Sequence, residues 1–126
     1  MCTNDEKSVM VVDDETDIRE TLREAIEMAG CKALLAANGA DALALLANHR
    51  PCVMILDLSM PVMTGQELLA IIRREPSLAT LQVVVSTSAP RRAPSGVAVL
   101  PKPIDLSAFW DSIHQNCRCG RPGQDG

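Results

Sequence analysis

Four groups of polar side chains each follow closely on a short apolar run, and together they could carry out phosphoryl chemistry. The groups are Asp13, Asp14 and Glu15; Asp57; Ser86, Thr87 and Ser88; and Lys102. If the apolar runs are parallel strands, their carboxyl ends meet at one edge of the sheet, where ligands of such sheets bind. We therefore expect carboxylates, a hydroxyl and an ammonium group to converge there, although they span most of the sequence.

Several carboxylates at such an edge repel one another, and a hard divalent cation relieves that repulsion. Mg²⁺ prefers oxygen ligands, takes few protein carboxylates, and keeps several waters or a substrate phosphate. One carboxylate could then act as the nucleophile and form an aspartyl phosphate. The cation and Lys102 would offset charge on the phosphoryl oxygens, and a hydroxyl would hydrogen-bond to one of them.

The apolar runs themselves predict the fold. They lie at residues 9–12, 32–36, 52–56, 83–85 and 97–100. Because they lack strict alternation, they fit strands that are buried on both faces of a parallel sheet. Amphipathic helical patterns separate them, and the expected helix ends are marked by Asp14, Gly30, Asn38 or Asp41, Thr64 and Asp105. This alternation predicts a doubly wound α/β sandwich.

The connection between the fourth and fifth runs is the exception. It leaves only nine residues, Ser88 to Gly96, and includes Pro90 and Pro94. A connection between parallel strands usually needs a dozen residues or more and usually carries a helix. We therefore expect at most a single helical turn in this segment.

Four motifs, in this order along the chain, resemble the receiver domain of two-component response regulators, in particular the stand-alone chemotaxis type. They occupy residues 11–15, 56–61 with Gly65, 85–89 and 100–103. The resemblance implies a flavodoxin-like fold, with a five-stranded parallel sheet in the order 2-1-3-4-5. The short connection described above predicts that the fourth crossover helix is missing or reduced. We expect a receiver domain over residues 8–116, an N-terminal extension over 1–7 and a flexible tail over 117–126.

By this resemblance Asp57 is the phosphoacceptor and Mg²⁺ is the cofactor. Asp14 and Asp57 would bind the cation directly, together with the backbone carbonyl of Ser59. Asp13 would hold a metal-bound water. The protein would then be a signalling phosphoacceptor rather than an enzyme, with at most weak self-catalysed phosphotransfer and autodephosphorylation.

The resemblance also implies that Thr87 and Lys102 bind the phosphoryl group, and the Lys102–Pro103 peptide bond is often cis in the family. Thr87 is favoured because about four mostly apolar residues precede the family's hydroxyl and a small residue follows it. Strand alternation would also point Ser86 to the opposite side from Thr87, and Ser86 is the alternative. Loop support would come from Pro61, Gly65 and Pro103.

Two features depart from the family. Val99 stands where the family usually has an aromatic residue on the fifth strand, three residues before the lysine. The fourth helix is also expected to be absent or reduced. Because these two features normally relay phosphorylation to the partner surface, the resemblance covers the acceptor chemistry and not the usual output switch.

Composition narrows the function further. Lys and Arg total 12 against 16 Asp and Glu, and the net charge of −4 offers no basis for non-specific nucleic-acid binding. No apolar run approaches the roughly 20 residues of a membrane span, and the polar N-terminus lacks a signal-peptide core. We therefore expect a cytoplasmic protein with no nucleic-acid or membrane partner.

The five cysteines are scattered along the chain and are expected to be reduced. His114, Cys117 and Cys119 offer only three local zinc ligands, where a structural site usually needs four.

These observations predict a receiver without an output domain, phosphorylated by a sensor histidine kinase or a histidine phosphotransfer protein. It would signal through a downstream protein partner, or drain phosphate from a shared kinase. The alternative is a receiver-like interaction module that works without phosphorylation. An aspartate-nucleophile phosphatase is disfavoured because Ser59 replaces its second acid. A flavin or dinucleotide binder is disfavoured because acids stand where a glycine-rich phosphate loop would lie.

Overall fold

The computed structural model describes residues 3–58, 64–78 and 80–116, with side-chain detail from residue 8 onward. Five parallel strands form one sheet in the order β2-β1-β3-β4-β5, as predicted. The strands are β1 (Thr3–Val12), β2 (Lys32–Ala36), β3 (His49–Asp57), β4 (Val83–Thr87) and β5 (Ala98–Pro101). The helices are α1 (Thr16–Met28), α2 (Gly39–Leu46), α3 (Gly65–Arg74) and α4 (Leu106–Asn116). Within the described ranges, no helix has the length and apolar character needed to cross a lipid bilayer.

Strand β1 is longer than its apolar run indicates. It begins at Thr3, inside the segment expected to be an N-terminal extension. Its pairing with β3 shifts register between Asp5 and Val9. The regular pairing from Val9 to Val12 is the part that leads into the acid-rich segment.

Alternate side chains of the central strands enter two separate cores. On β1, Val9 packs with Phe109 of α4, whereas Met10 packs with Leu68 of α3, and all four side chains are fully buried. Helices α1 and α4 therefore cover one face of the sheet, and α2 and α3 cover the other. Coverage of both faces is the reason that the strands are apolar at successive positions.

Local hydrogen bonds define most helix ends as expected. The Thr64 hydroxyl accepts from the Glu67 N–H, and the Glu67 carboxylate accepts from the Thr64 N–H, which forms a capping box at the start of α3. Asn38 caps α2, since its side chain accepts from the Asp41 N–H. Gly30, at φ +81°, follows α1 in the left-handed conformation that closes helices. At the start of α4, the Asp105 carboxylate accepts from the N–H of residue 107.

The predicted cap at Asp14 is wrong. The residue before α1 is Glu15, whose side chain makes no capping hydrogen bond. The Glu15 N–H instead donates to Oδ1 of Asp13, at 2.9 Å. The strand-to-helix turn is therefore organised by Asp13, and Asp14 is left exposed.

The connection between β4 and β5 contains no α-helix, as its length predicts. A single 3-10 turn spans Pro90–Arg92, with the Arg92 N–H donating to the Ala89 carbonyl at 2.9 Å. Val99 on β5 is half-buried and Pro101 is exposed. The edge of the sheet is therefore less covered here than in the middle.

The expectation of reduced thiols is wrong for both cysteines that the structure describes. Cys31 and Cys52 are disulfide-bonded. Cys31 is buried directly before β2, and Cys52 lies in β3 with its Sγ 2.9 Å from the Ser8 carbonyl oxygen. Sequence spacing could not show this, because a disulfide depends on which sulfurs the fold brings together. Cys117 and Cys119, which with His114 offered only three local zinc ligands, lie outside the described residues.

Gly65 at the start of α3 packs directly against the end of β3. Its N–H donates to the Leu58 carbonyl at 3.1 Å. A Cβ atom on Gly65 would lie 2.4 Å from the backbone oxygen of Asp57 and 2.6 Å from the Cα of Leu58. Both neighbours are backbone atoms, so a side chain here forces the helix and the strand end apart.

Gly65→Ala should therefore lower the free energy of unfolding by roughly 1–3 kcal/mol, the usual cost of overpacking. Urea unfolding followed by circular dichroism measures this difference. The control is Gln66→Ala, at the exposed next position, which should stay within about 0.5 kcal/mol of the wild type. Equal stability of Gly65→Ala and the wild type would contradict the close packing described here.

Candidate functional site

Two neighbouring strands bring three carboxylates together. Asp13 follows β1 directly and Asp57 ends β3, and the pair before them, Val12 and Leu56, are opposite each other in the sheet. Carboxylate oxygens of Asp13, Asp14 and Asp57 lie within 4.8 Å of one another. Asp13 and Asp57 are buried, whereas Asp14 is exposed. The acids thus meet at the carboxyl edge of the sheet, as the expected order of strands requires.

The Asp13 backbone and side chain are fixed from three directions. Its N–H donates to the Ala36 carbonyl at 3.1 Å, which ties it to β2. Its own carbonyl accepts from the Arg19 guanidinium at 2.8 Å. Its Oδ1 accepts from the Glu15 N–H. The residue is therefore held between β1, β2 and α1, with Oδ2 turned to the centre of the site.

Lys102 reaches this centre from beyond the end of β5. Its Nζ lies 3.2 Å from Oδ2 of Asp13 and 3.4 Å from Oδ1 of Asp57. Burial lowers the pKa of Lys102, but the two carboxylates outweigh this effect, and its pKa is raised overall. The ammonium group is thus held in its charged form between the two buried acids.

The two hydroxyls at the end of β4 take different positions. Ser86 pairs with Asp57 of β3, and Thr87 pairs with Pro101 of β5. Successive residues face opposite sides of a sheet, so Ser86 shares the face of Asp57 and Thr87 does not. Thr87 is the last residue of its strand, and its Oγ1 accepts from the Ala89 N–H at 2.9 Å. The Thr87 carbonyl accepts from the Lys102 N–H, also at 2.9 Å.

Two of the three loop residues, Gly65 and Pro103, lie in the described part of the chain. Gly65 lies against the Asp57 backbone, as described above, and the Lys102–Pro103 bond is cis. Ser59 and Pro61 lie outside the described residues. The contribution of the Ser59 carbonyl and the support from Pro61 therefore stay predictions.

A cavity of about 620 Å³ opens beside Lys102. It lies between α1 and the segment that joins β5 to α4, and Ile18, Leu22, Ile104 and Leu106 form part of its wall. The ammonium of Lys102 is therefore bordered by the acids on one side and by a largely apolar opening on the other.

The donor set fits a hard divalent cation. Proteins bind Mg²⁺ through one or two carboxylates, with water and phosphate oxygens filling the remaining positions. The exposed Asp14 beside the buried Asp13 and Asp57 offers that kind of open oxygen site. The cluster is therefore compatible with Mg²⁺, and it contains no sulfur or imidazole ligand that would favour a softer metal.

Comparison with known proteins gives a consistent result. The family model described as the response regulator receiver domain matches residues 9–112. An uncharacterised 14.6 kDa protein in the sodA1 3′ region of Leptolyngbya boryana is 32% identical over 124 residues, which cover 93% of this chain and 95% of that protein. Protein PilG of Pseudomonas aeruginosa is 32% identical over 85 residues, covering 68% of this chain and 63% of PilG. The chemotaxis response regulator CheY4 of Vibrio cholerae has a similar structure, with a TM-score of 0.78 and 27% identity over 86% of this chain and 96% of that one.

Proposed function

The chain belongs to the family of response regulator receiver domains, and we propose that Asp57 is the residue that accepts the phosphoryl group. Receiver domains are signalling phosphoacceptors and not enzymes in the usual sense. The observation that carries the assignment is the position of Asp57: it is buried in the acid cluster, with the Lys102 ammonium 3.4 Å from its Oδ1. The proposed donor is a sensor histidine kinase or a histidine phosphotransfer protein.

The proposed transfer uses groups already at the site. A carboxylate oxygen of Asp57 attacks phosphorus, the P–N bond of the donor phosphohistidine breaks, and its electron pair returns to the imidazole nitrogen. The Lys102 ammonium moves to the incoming phosphoryl oxygens, and the Thr87 hydroxyl donates to one of them. Mg²⁺, when bound by Asp14 and Asp57, supplies further neutralisation of the phosphoryl charge.

Incubation with Mg²⁺ and acetyl phosphate should add one phosphoryl group to the wild-type chain, detected by intact-mass spectrometry. Asp57→Asn should abolish the added mass because it removes the nucleophile. The matched control is Asp41→Asn, an exposed acid on α2, which should be labelled like the wild type. Labelling of Asp57→Asn to the wild-type extent would reject the assignment. A wild-type chain that takes no label at all would favour the phosphorylation-independent interaction module.

Metal binding tests the acid cluster separately. Asp14→Ala should weaken Mg²⁺ binding about tenfold or more, because Mg²⁺ has very few protein ligands to lose. Lys102→Ala should retain Mg²⁺ binding, since it removes no oxygen ligand. Isothermal titration calorimetry measures both, with Asp17→Ala, an exposed acid in the first turn of α1, as the control. The ligand assignment is wrong if Asp14→Ala and Asp17→Ala bind Mg²⁺ with the same affinity.

The proposed phosphoryl site can be coupled to the β4–β5 connection without an aromatic residue on β5. Thr87 Oγ1 accepts from the Ala89 N–H, and the Ala89 carbonyl accepts from Arg92 in the 3-10 turn. If the Thr87 side chain turns to the phosphoryl group, the first of these bonds breaks at the start of the turn. We propose that phosphorylation thereby alters the order of residues 87–96, which a downstream protein partner then recognises.

Hydrogen exchange tests this proposal, with beryllofluoride as a phosphoryl mimic at Asp57. Protection in residues 87–96 should change on binding, while residues 39–46 of α2, which packs on β2 at the opposite edge of the sheet, should not. Thr87→Ala should remove the change because the hydroxyl that couples the site to the turn is gone. Unchanged protection in residues 87–96 at full occupancy would instead support a protein that only drains phosphate from a shared kinase.

A further inference from the structure

Ser86 carries the one buried side-chain oxygen or nitrogen that lacks a hydrogen-bond partner among the side chains described from residue 8 onward. The residue is 1% exposed. Burying a hydroxyl without a partner destabilises the fold, and an apolar side chain would avoid that cost. The three preceding residues of β4 are all valine. A serine at the end of this run therefore points to a partner that the resting site does not supply.

The location of Ser86 identifies that partner. Ser86 is directly opposite Asp57 on one side and Leu100 on the other. In paired parallel strands, opposite residues project to the same face, so the Ser86 hydroxyl and the Asp57 carboxylate are neighbours on one face. Strand β4 lies between β3 and β5. The Lys102 side chain therefore spans the carboxyl end of β4 to reach Asp57.

Thr87 does not share this position. Its side chain lies on the other face of the strand, and its Oγ1 already accepts a hydrogen bond from Ala89. Binding the phosphoryl group and positioning the acceptor carboxylate thus need two different hydroxyls. Thr87 and Ser86 are adjacent in β4, and each can fill one of these roles.

Building on the proposed function, we propose that Ser86 is a positioning residue for Asp57 during phosphoryl transfer. When Lys102 moves to the phosphoryl oxygens, Asp57 gives up its 3.4 Å contact with the ammonium. The Ser86 hydroxyl then donates to the Asp57 oxygen that does not attack phosphorus. This hydrogen bond limits rotation of the carboxylate and keeps the attacking oxygen directed at phosphorus.

The test compares Ser86→Ala, Ser86→Thr and the wild type in two measurements. The first is the rate constant for labelling by acetyl phosphate with Mg²⁺, followed by intact mass. The second is the free energy of unfolding of the unphosphorylated chain, from urea unfolding. Ser86→Ala should be labelled about tenfold more slowly, as expected for a lost hydrogen bond to a charged group, yet be as stable as the wild type or more stable. Ser86→Thr keeps the hydroxyl and should recover most of the rate.

Ser107→Ala, an exposed serine at the start of α4, is the control and should change neither quantity. The inference is overturned if Ser86→Ala is labelled at the wild-type rate. It is also overturned if Ser86→Ala is less stable than the wild type, because the hydroxyl would then have a partner in the resting protein. Failure of the wild type itself to take label would reject the proposed function and this inference together. Labelling of the wild type and of Ser86→Ala at the same rate rejects this inference alone.

Discussion

Two carboxylates, Asp13 and Asp57, are buried side by side at the end of neighbouring strands, and the ammonium of Lys102 lies between them. Buried like charges at this distance are tolerated only with a compensating positive charge, because the protein interior screens them poorly. The sheet order places β1 beside β3, which brings the acids together. The same order requires Lys102 to cross β4, which brings a third strand into the site. The arrangement of charges at this edge of the sheet thus follows from one electrostatic constraint.

Short-range contacts hold the backbone on both sides of this ion pair. The Asp13 N–H donates to the Ala36 carbonyl of β2, and the Asp13 Oδ1 accepts from the Glu15 N–H directly before α1. The backbone of Asp57 is in close contact with Gly65, where the first turn of α3 begins. The backbone contacts fix where each strand ends, while Oδ2 of Asp13 and Oδ1 of Asp57 face the Lys102 ammonium.

The β4–β5 connection departs from the usual pattern of receiver domains in two ways. A single 3-10 turn replaces a crossover helix, and Val99 occupies the strand position of an aromatic residue. The link from the site to this segment is instead a hydrogen bond from Ala89 to Thr87. The shortened segment also leaves the Val99 side of the sheet edge half-covered.

The sequence alone predicted the alternation of strands and helices, most helix ends, the short β4–β5 connection and the convergence of the acids with Lys102, whereas the strand order was implied by the resemblance to receiver domains. These features depend on local patterns and on topology, both of which are visible in a single chain. It failed at the Asp14 cap and at the thiols, because both depend on which groups the folded chain brings within bonding distance. The difference between Ser86 and Thr87 has the same origin. Both are hydroxyls in one run of sequence, and only the pairing of β4 with β3 decides which of them shares a face with Asp57.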